Sequence, residues 1–168
     1  MPSLAEIRSL NQAGRAKDAE AGARVLLSIL ERGAPVDSLS LGETLDELSI
    51  ALRRGGKAGQ PESEQVGARA IAIKERSLGK RSAGYAASLY NMGMLWYARD
   101  DASRAISILQ ETLEIRVAAL GSEHRDVALT LLAIGAVHSQ MGKDVAAEEA
   151  IDRAVSIQKA TLEADDPD

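Results

Sequence analysis

The feature that most constrains this chain is that it repeats itself. LGKRSAGYAASLYNMGML, from Leu78 to Leu95, aligns without gaps on LGSEHRDVALTLLAIGAV, from Leu120 to Val137, at an offset of 42 residues. Leu78 then pairs with Leu120, Gly79 with Gly121, Ala86 with Ala128, Leu89 with Leu131 and Gly93 with Gly135. The register runs on through Ala105 and Ala147, Leu109 and Ile151, and Ile115 and Ile157. One step earlier, Ile73 matches Ile115 and Leu78 matches Leu120. The half-repeat before it, LDELSIALRRGGKAGQPESEQ, fits once its turn is made about two residues longer. The first 33 residues hold two more helical runs joined near Gly14. A fixed period of this length marks a unit that cannot bury its apolar face alone and does so by stacking on its neighbours.

Within each unit the apolar residues recur with helical spacing. Leu89, Met92 and Trp96 form one stripe, repeated by Leu131, Ile134 and His138. Ala105, Ile108, Leu109, Thr112 and Ile115 form the stripe of the helix that follows. Ser3 with Glu6, and Ser40 with Glu43, have capping-box spacing. Pro61 suits a first helical turn, and Gly55, Gly56, Gly121 and Gly142 mark turns or ends. The pattern predicts eight helices near 3–13, 16–31, 41–54, 62–77, 83–98, 101–118, 125–140 and 143–162. They form four antiparallel hairpins, 3–31, 41–77, 83–118 and 125–162, within one domain spanning 1–168.

Composition agrees with an all-α fold. There is no Phe, one Trp and three Tyr, so the 45% apolar content is carried by aliphatic residues, many of them good helix formers. The absence of cysteine removes disulfides, thiolate metal sites and a thiol nucleophile. No segment approaches the ~20 consecutive apolar residues of a membrane span, and the N-terminal sequence lacks the pattern of a secretory signal. The expectation is a cytoplasmic protein. Of the net charge of −5, the surplus lies at the C-terminal end, where residues 122–168 hold ten acidic and four basic side chains. With no basic stripe, nucleic acid is not an expected partner.

A small residue in the first helix, Gly93 or Gly135, followed twelve residues later by Ala105 or Ala147, resembles the tetratricopeptide repeat. The 42-residue period and the leader LGSEHRDVA are similar to the repeats of kinesin light chain and its bacterial relatives. Arg125 stands where that leader carries Pro, and LGKRSAGYA keeps less of it. The resemblance covers residues 68–162 and implies a right-handed α-solenoid that binds a partner's peptide or helix in a concave groove. By that analogy the groove is lined in the third hairpin by Tyr90, Asn91, Met94 and Tyr97, with Ala87. In the fourth it is lined by Leu132, Ala136 and Gln140, with Leu129 and Ala133. Arg53 represents the second hairpin, beside Asp46, Ile50 and Arg54; Arg8, Asn11 and Gln12 represent the first. Asn91 matches an Asn that holds the ligand backbone in the resembled repeats; a water-facing Asn is the alternative, and either Tyr could instead pack into the next hairpin. The carboxylate-gripping Lys, Arg and Asn set of the chaperone-binding repeats does not recur.

Nothing in the chain suggests catalysis. His138 takes the register of Trp96 and is expected to pack, and His124 is expected to cap or turn. The Ser, His and Asp of GSEHRD are neighbours in sequence, whereas a triad is assembled from separate elements. No metal or cofactor is expected. The reading is a protein-interaction module, with a structural scaffold or self-association domain of a larger regulatory protein as the alternative. LEADDPD at the C-terminus looks like the leader of a further repeat, and the apolar face of the last helix then predicts a homodimer through the C-terminal hairpin.

Overall fold

The computed structural model describes residues 1–33 and 38–165. Among these residues there are helices and turns and no strand: α1 (Leu4–Gln12), α2 (Ala16–Arg32), α3 (Ser38–Leu52), a π-helical turn (Arg53–Lys57), α4 (Pro61–Leu78), α5 (Ala83–Ala98), α6 (Ala102–Leu120), α7 (Arg125–Gln140) and α8 (Asp144–Asp165). The chain divides into two compact units, Met1–Gly79 and Lys80–Asp168.

In the first unit α1 packs on α2 and α3, α2 on α3, and α3 on α4. Its core is Ile7, Ala19, Ala23, Leu27, Leu41, Leu45, Leu48, Ala51, Leu52, Val66, Ala70 and Ile73. Ser3 caps α1 through the expected box: its hydroxyl accepts from the Glu6 amide, and the Glu6 carboxylate accepts from the Ser3 amide at 2.7 Å. Pro61 opens α4 in the first turn, where its missing N–H costs nothing. The box expected at Ser40 and Glu43 does not start a helix. α3 already runs from Ser38, and the Ser40 carbonyl accepts the Thr44 hydroxyl at 2.7 Å inside it.

The second unit is a pair of hairpins, α5–α6 and α7–α8, with α6 packed on α7 and α5 touching α7. The glycines that set the repeat explain the close approach. A Cβ on Gly93 would lie 2.8 Å from Leu109 Cγ. A Cβ on Gly135 would lie 2.8 Å from Ile151 Cγ1 and 3.2 Å from the Ala147 carbonyl oxygen. Leu109 and Ile151 are themselves one repeat apart, so the same knob meets the same hole in both hairpins.

The turns repeat as well. The residue between the two helices of each hairpin has positive φ: Gly14 (73°), Gly56 (76°), Asp100 (63°) and Gly142 (70°). Gly79 and Gly121, at φ 82° and 91° with ψ near 160°, end α4 and α6 in a region that only glycine enters readily. Position 163 is Glu, and α8 runs on to Asp165 instead of ending there. Residues 166–168, the rest of the tail expected from the sequence, lie outside the described residues.

Candidate functional site

α5 is built of AGYAASLYNMGMLWYA, sixteen residues without a charge. One side of it, Tyr85, Ala86, Ser88, Leu89, Met92, Gly93 and Leu95, is buried. Ala87, Tyr90, Asn91, Met94 and Tyr97 are half-buried, and only Ala98 is exposed. A helix with so little polar surface is ordinarily enclosed, so its partly open row is the unusual feature. Among the described residues the Asn91 side-chain amide makes no hydrogen bond. It keeps two donors and an acceptor in hand.

Tyr90, Met94 and Tyr97 flank the core formed by Ala105, Leu109, Ala133, Ile134 and Val137. The two tyrosines thus pack against a cluster drawn from both hairpins, and each is half-buried. On α7, Leu132 and Ala136 are half-buried, Leu129 and Gln140 are exposed, and Ala133 belongs to the core. The Gln140 amide donates to the Asp100 carboxylate of the α5–α6 turn. The second unit therefore brings Tyr90, Asn91, Met94, Tyr97, Leu132, Ala136 and Gln140 onto its two adjacent first helices.

Behind Tyr90 stands a group that the sequence reading did not single out. Arg116, from α6, is 5% exposed, and its guanidinium lies 4.8 Å from the Tyr90 ring centroid. Its Nη1 donates to the Asp126 carbonyl at 2.8 Å and to Thr130 Oγ1 at 2.9 Å. Among the described residues no hydrogen bond satisfies Nε, and burial pulls the guanidinium below its ordinary basicity. One repeat earlier, Lys74 of α4 is equally buried and ion-paired with Asp46 of α3. The signal was present in the sequence: IAIKER and LEIRVA place a base directly after the apolar residues Ile73 and Ile115, 42 residues apart.

In the first unit the corresponding positions are largely taken. Asn11 is buried, and its amide donates to Glu47 through the backbone oxygen (3.0 Å) and the carboxylate (2.8 Å). Arg8 pairs with Glu43 and Glu47, both at 3.2 Å. Asp46 is held by Lys74, and Arg54 donates to the Asn11 carbonyl. Asn11 and Asp46 are thus interior groups, while Arg53, in the π-helical turn, and Ile50 are half-buried. On the other side of this unit Arg24–Glu62 (2.7 Å) and Arg69–Glu31 (2.6 Å) bridge α2 to α4. They rim a hollow of about 390 Å3 floored by Leu27, Leu45, Leu48 and Val66. Lys57 and Arg24 hold the Glu20 carboxyl below its usual range, and Arg24 does the same to Glu62.

The histidines have structural places. His124 caps α7, its Nδ1 accepting from the Asp126 amide at 3.1 Å. His138 is half-buried, and its Nδ1 is enclosed without a hydrogen-bond partner among the described residues. Among those residues no three His, Cys, Asp or Glu side chains are grouped to hold a metal ion. No described helix is long and apolar enough to cross a membrane.

Residues 97–160 match the family model described as tetratricopeptide repeat. Solved structures extend the likeness along the chain. BtubC (BKLC) from P. vanneervenii superimposes with a TM-score of 0.76 at 23% identity over 93% of this chain. Nearly identical TPR-like repeats of a Podosopora anserina kinesin light chain, in two crystal structures, superimpose with a TM-score of 0.75 at 20% identity over 98% of it. This chain spans 61% of the BtubC chain and 76% and 77% of the other two. A comparison with curated proteins returns no match. Residues 97–160 thus match the tetratricopeptide repeat, and the fold that the chain shares with these structures is an all-α solenoid of helical repeats. The tetratricopeptide-repeat match over residues 97–160 supports a role in protein–protein interaction or as a scaffold.

Proposed function

We propose that the second unit binds a segment of a partner protein, an extended peptide or a helix, along the row formed by Tyr90, Asn91, Met94 and Tyr97 of α5 and Leu132, Ala136 and Gln140 of α7. The observation that carries this reading is the open row on the charge-free helix α5, with an Asn91 amide that has no hydrogen bond among the described residues. Tyr rings and a Met side chain give an adaptable apolar surface. An amide between them supplies the donor and acceptor that an extended backbone needs. Arg53, which belongs to the first unit, is a separate candidate contact. The helical-repeat fold shared with the structural neighbours is compatible with an interaction module.

The test is selection of peptides from a displayed random library, followed by affinity measurements on variants. Asn91→Ala and Met94→Ala, the latter trimming a side chain that flanks the core and so first checked to be folded by circular dichroism, are expected to weaken a selected peptide by roughly tenfold each, about 1.4 kcal/mol. Tyr90 is a poorer probe, because removing it also uncovers Arg116. Peptides whose affinity is unchanged in both variants would place the binding surface elsewhere. A scaffold or self-association role is the second reading, and the observation that favours it is the exposure of Ile151 and Val155 on α8.

A further inference from the structure

The hollow floored by Leu27, Leu45, Leu48 and Val66 in the first unit has a neighbour of the same size, and Arg69 lines both. The second hollow, also about 390 Å3, lies farther along α4 and is lined in addition by Ser38, Leu41, Ile73, Arg76 and Ser77. On α4 the lining residues Glu62, Val66, Arg69, Ile73 and Arg76 follow one another at spacings of four and three, so they share one stripe. Ser38, Leu41, Leu45 and Leu48 do the same on α3, which packs on α4. The hollows are therefore consecutive stretches of one trench along the α3–α4 seam. Its floor, Leu41, Leu45, Leu48, Val66 and Ile73, is buried. From Val66 to Arg76 it runs about 15 Å along the helix axis.

Charge is spread unevenly along this trench. At the first hollow Arg24 is paired with Glu62, and Arg69 with Glu31. The lining of the second holds the guanidinium groups of Arg69 and Arg76 and no acid. Arg76 is exposed, and its Nε donates to the Ala72 carbonyl of its own helix at 3.1 Å. Its two Nη groups have no partner among the described residues. A cavity of about 150 Å3 holds benzene, so each hollow has room for about ten carbon atoms and not for a helix. An apolar floor that leads to an unpaired guanidinium suits a slim aliphatic chain with one anionic end.

We infer that the trench binds a medium-chain aliphatic carboxylate. Its chain lies on the leucine floor, and its carboxylate meets Arg76 at the end lined by the Ser38 and Ser77 hydroxyls. The site belongs to the first unit and is independent of the row on α5 and α7.

Isothermal titration calorimetry of the full chain with octanoate, nonanoate and decanoate tests this. The expected result is one site per chain, with affinity rising roughly threefold per added methylene and a decanoate dissociation constant on the order of 100 μM. Acetate, which has the head without the chain, should not bind at millimolar concentration. Octan-1-ol should bind about tenfold more weakly than octanoate, and Arg76→Gln should weaken decanoate by about as much. Arg76→Lys should retain most of the affinity. Ser28→Phe, which puts a ring into the first hollow, should also weaken decanoate. Far-ultraviolet circular dichroism confirms that each variant is folded. Absence of saturable decanoate binding overturns the inference, as does acetate binding as tightly as decanoate. So does a decanoate affinity unmoved by both Arg76→Gln and Ser28→Phe. Octan-1-ol binding as tightly as octanoate overturns the role of the anionic end.

Discussion

At the scale of single residues, the same register position holds two buried cations with different surroundings. Lys74 faces the Asp46 carboxylate, whereas Arg116 faces a tyrosine ring, a hydroxyl and a carbonyl. Removing one partner of a buried ion pair costs about 3–5 kcal/mol. Removing Arg116 leaves only neutral acceptors, and Thr130 already donates to the Asp126 carbonyl at 2.7 Å. Chemical denaturation should therefore find Lys74→Met destabilised by about 3–5 kcal/mol and Arg116→Met by about 1–2 kcal/mol. Equal losses would mean that the contrast in their surroundings has no energetic weight. Gly93→Ala and Gly135→Ala are both expected to destabilise by about 1–3 kcal/mol, despite the better helix propensity of Ala. Gly135 should be the more sensitive, since one obstructing atom is the Ala147 backbone oxygen, which cannot rotate away.

Acid should act on the first unit through Glu20. Lys57 and Arg24 depress its folded pKa below the ordinary 4.5. Its contribution is thus present above that value and is lost as pH falls through the lower folded one. The Glu20→Gln variant should be less stable at neutral pH than the parent and lose less on acidification to about pH 3. A parallel pH profile for parent and variant would contradict this.

At the scale of elements, the repeat made most of the helices legible, because a 42-residue register reports the same apolar stripe more than once. α5 and α7 lie where the spacing predicts, 83–98 and 125–140. The readings that missed were those resting on a single local signal. Ser40 with Glu43 has the spacing of a capping box, but α3 had already begun at Ser38, so the position is helix interior. The extra residues of the second hairpin are absorbed as a π-helical turn, Arg53–Lys57, with Gly56 in the left-handed region. Composition reveals an irregular turn there but not its hydrogen-bond pattern. Of the candidate residues, Tyr90, Asn91, Met94 and Tyr97 of α5 and Leu132, Ala136 and Gln140 of α7 are half-buried or exposed, while Asn11 and Asp46 are interior because their neighbours Glu47 and Lys74 come from other helices. The leader segment adds a prediction. His124→Ala should cost about 1 kcal/mol as α7 loses its cap, and His124→Asn should retain most of it. Thermal unfolding would show this, and equal stability of parent and Ala variant would contradict it.

At the scale of the molecule, two compact units divide the labour that the repeat alone would spread evenly. The first unit spends its polar groups on itself, in the Arg8–Glu43–Glu47–Asn11 network and the Arg24–Glu62 and Lys57–Glu20 pairs. The second leaves a charge-free, partly open row on its first helices. This asymmetry lies in side-chain pairing between helices, which the repeat register does not report. The chain offers a direct way to observe the row. It has four methionines, of which Met94 lies on it, Met92 is buried on the same helix, and Met141 is half-buried at the end of α7. The measurement is a methyl NMR spectrum of methionine-labelled protein titrated with a selected peptide. The expected result is that the Met94 methyl shifts in proportion to occupancy while Met92 stays in place. Saturable binding that leaves the Met94 signal unmoved would contradict it.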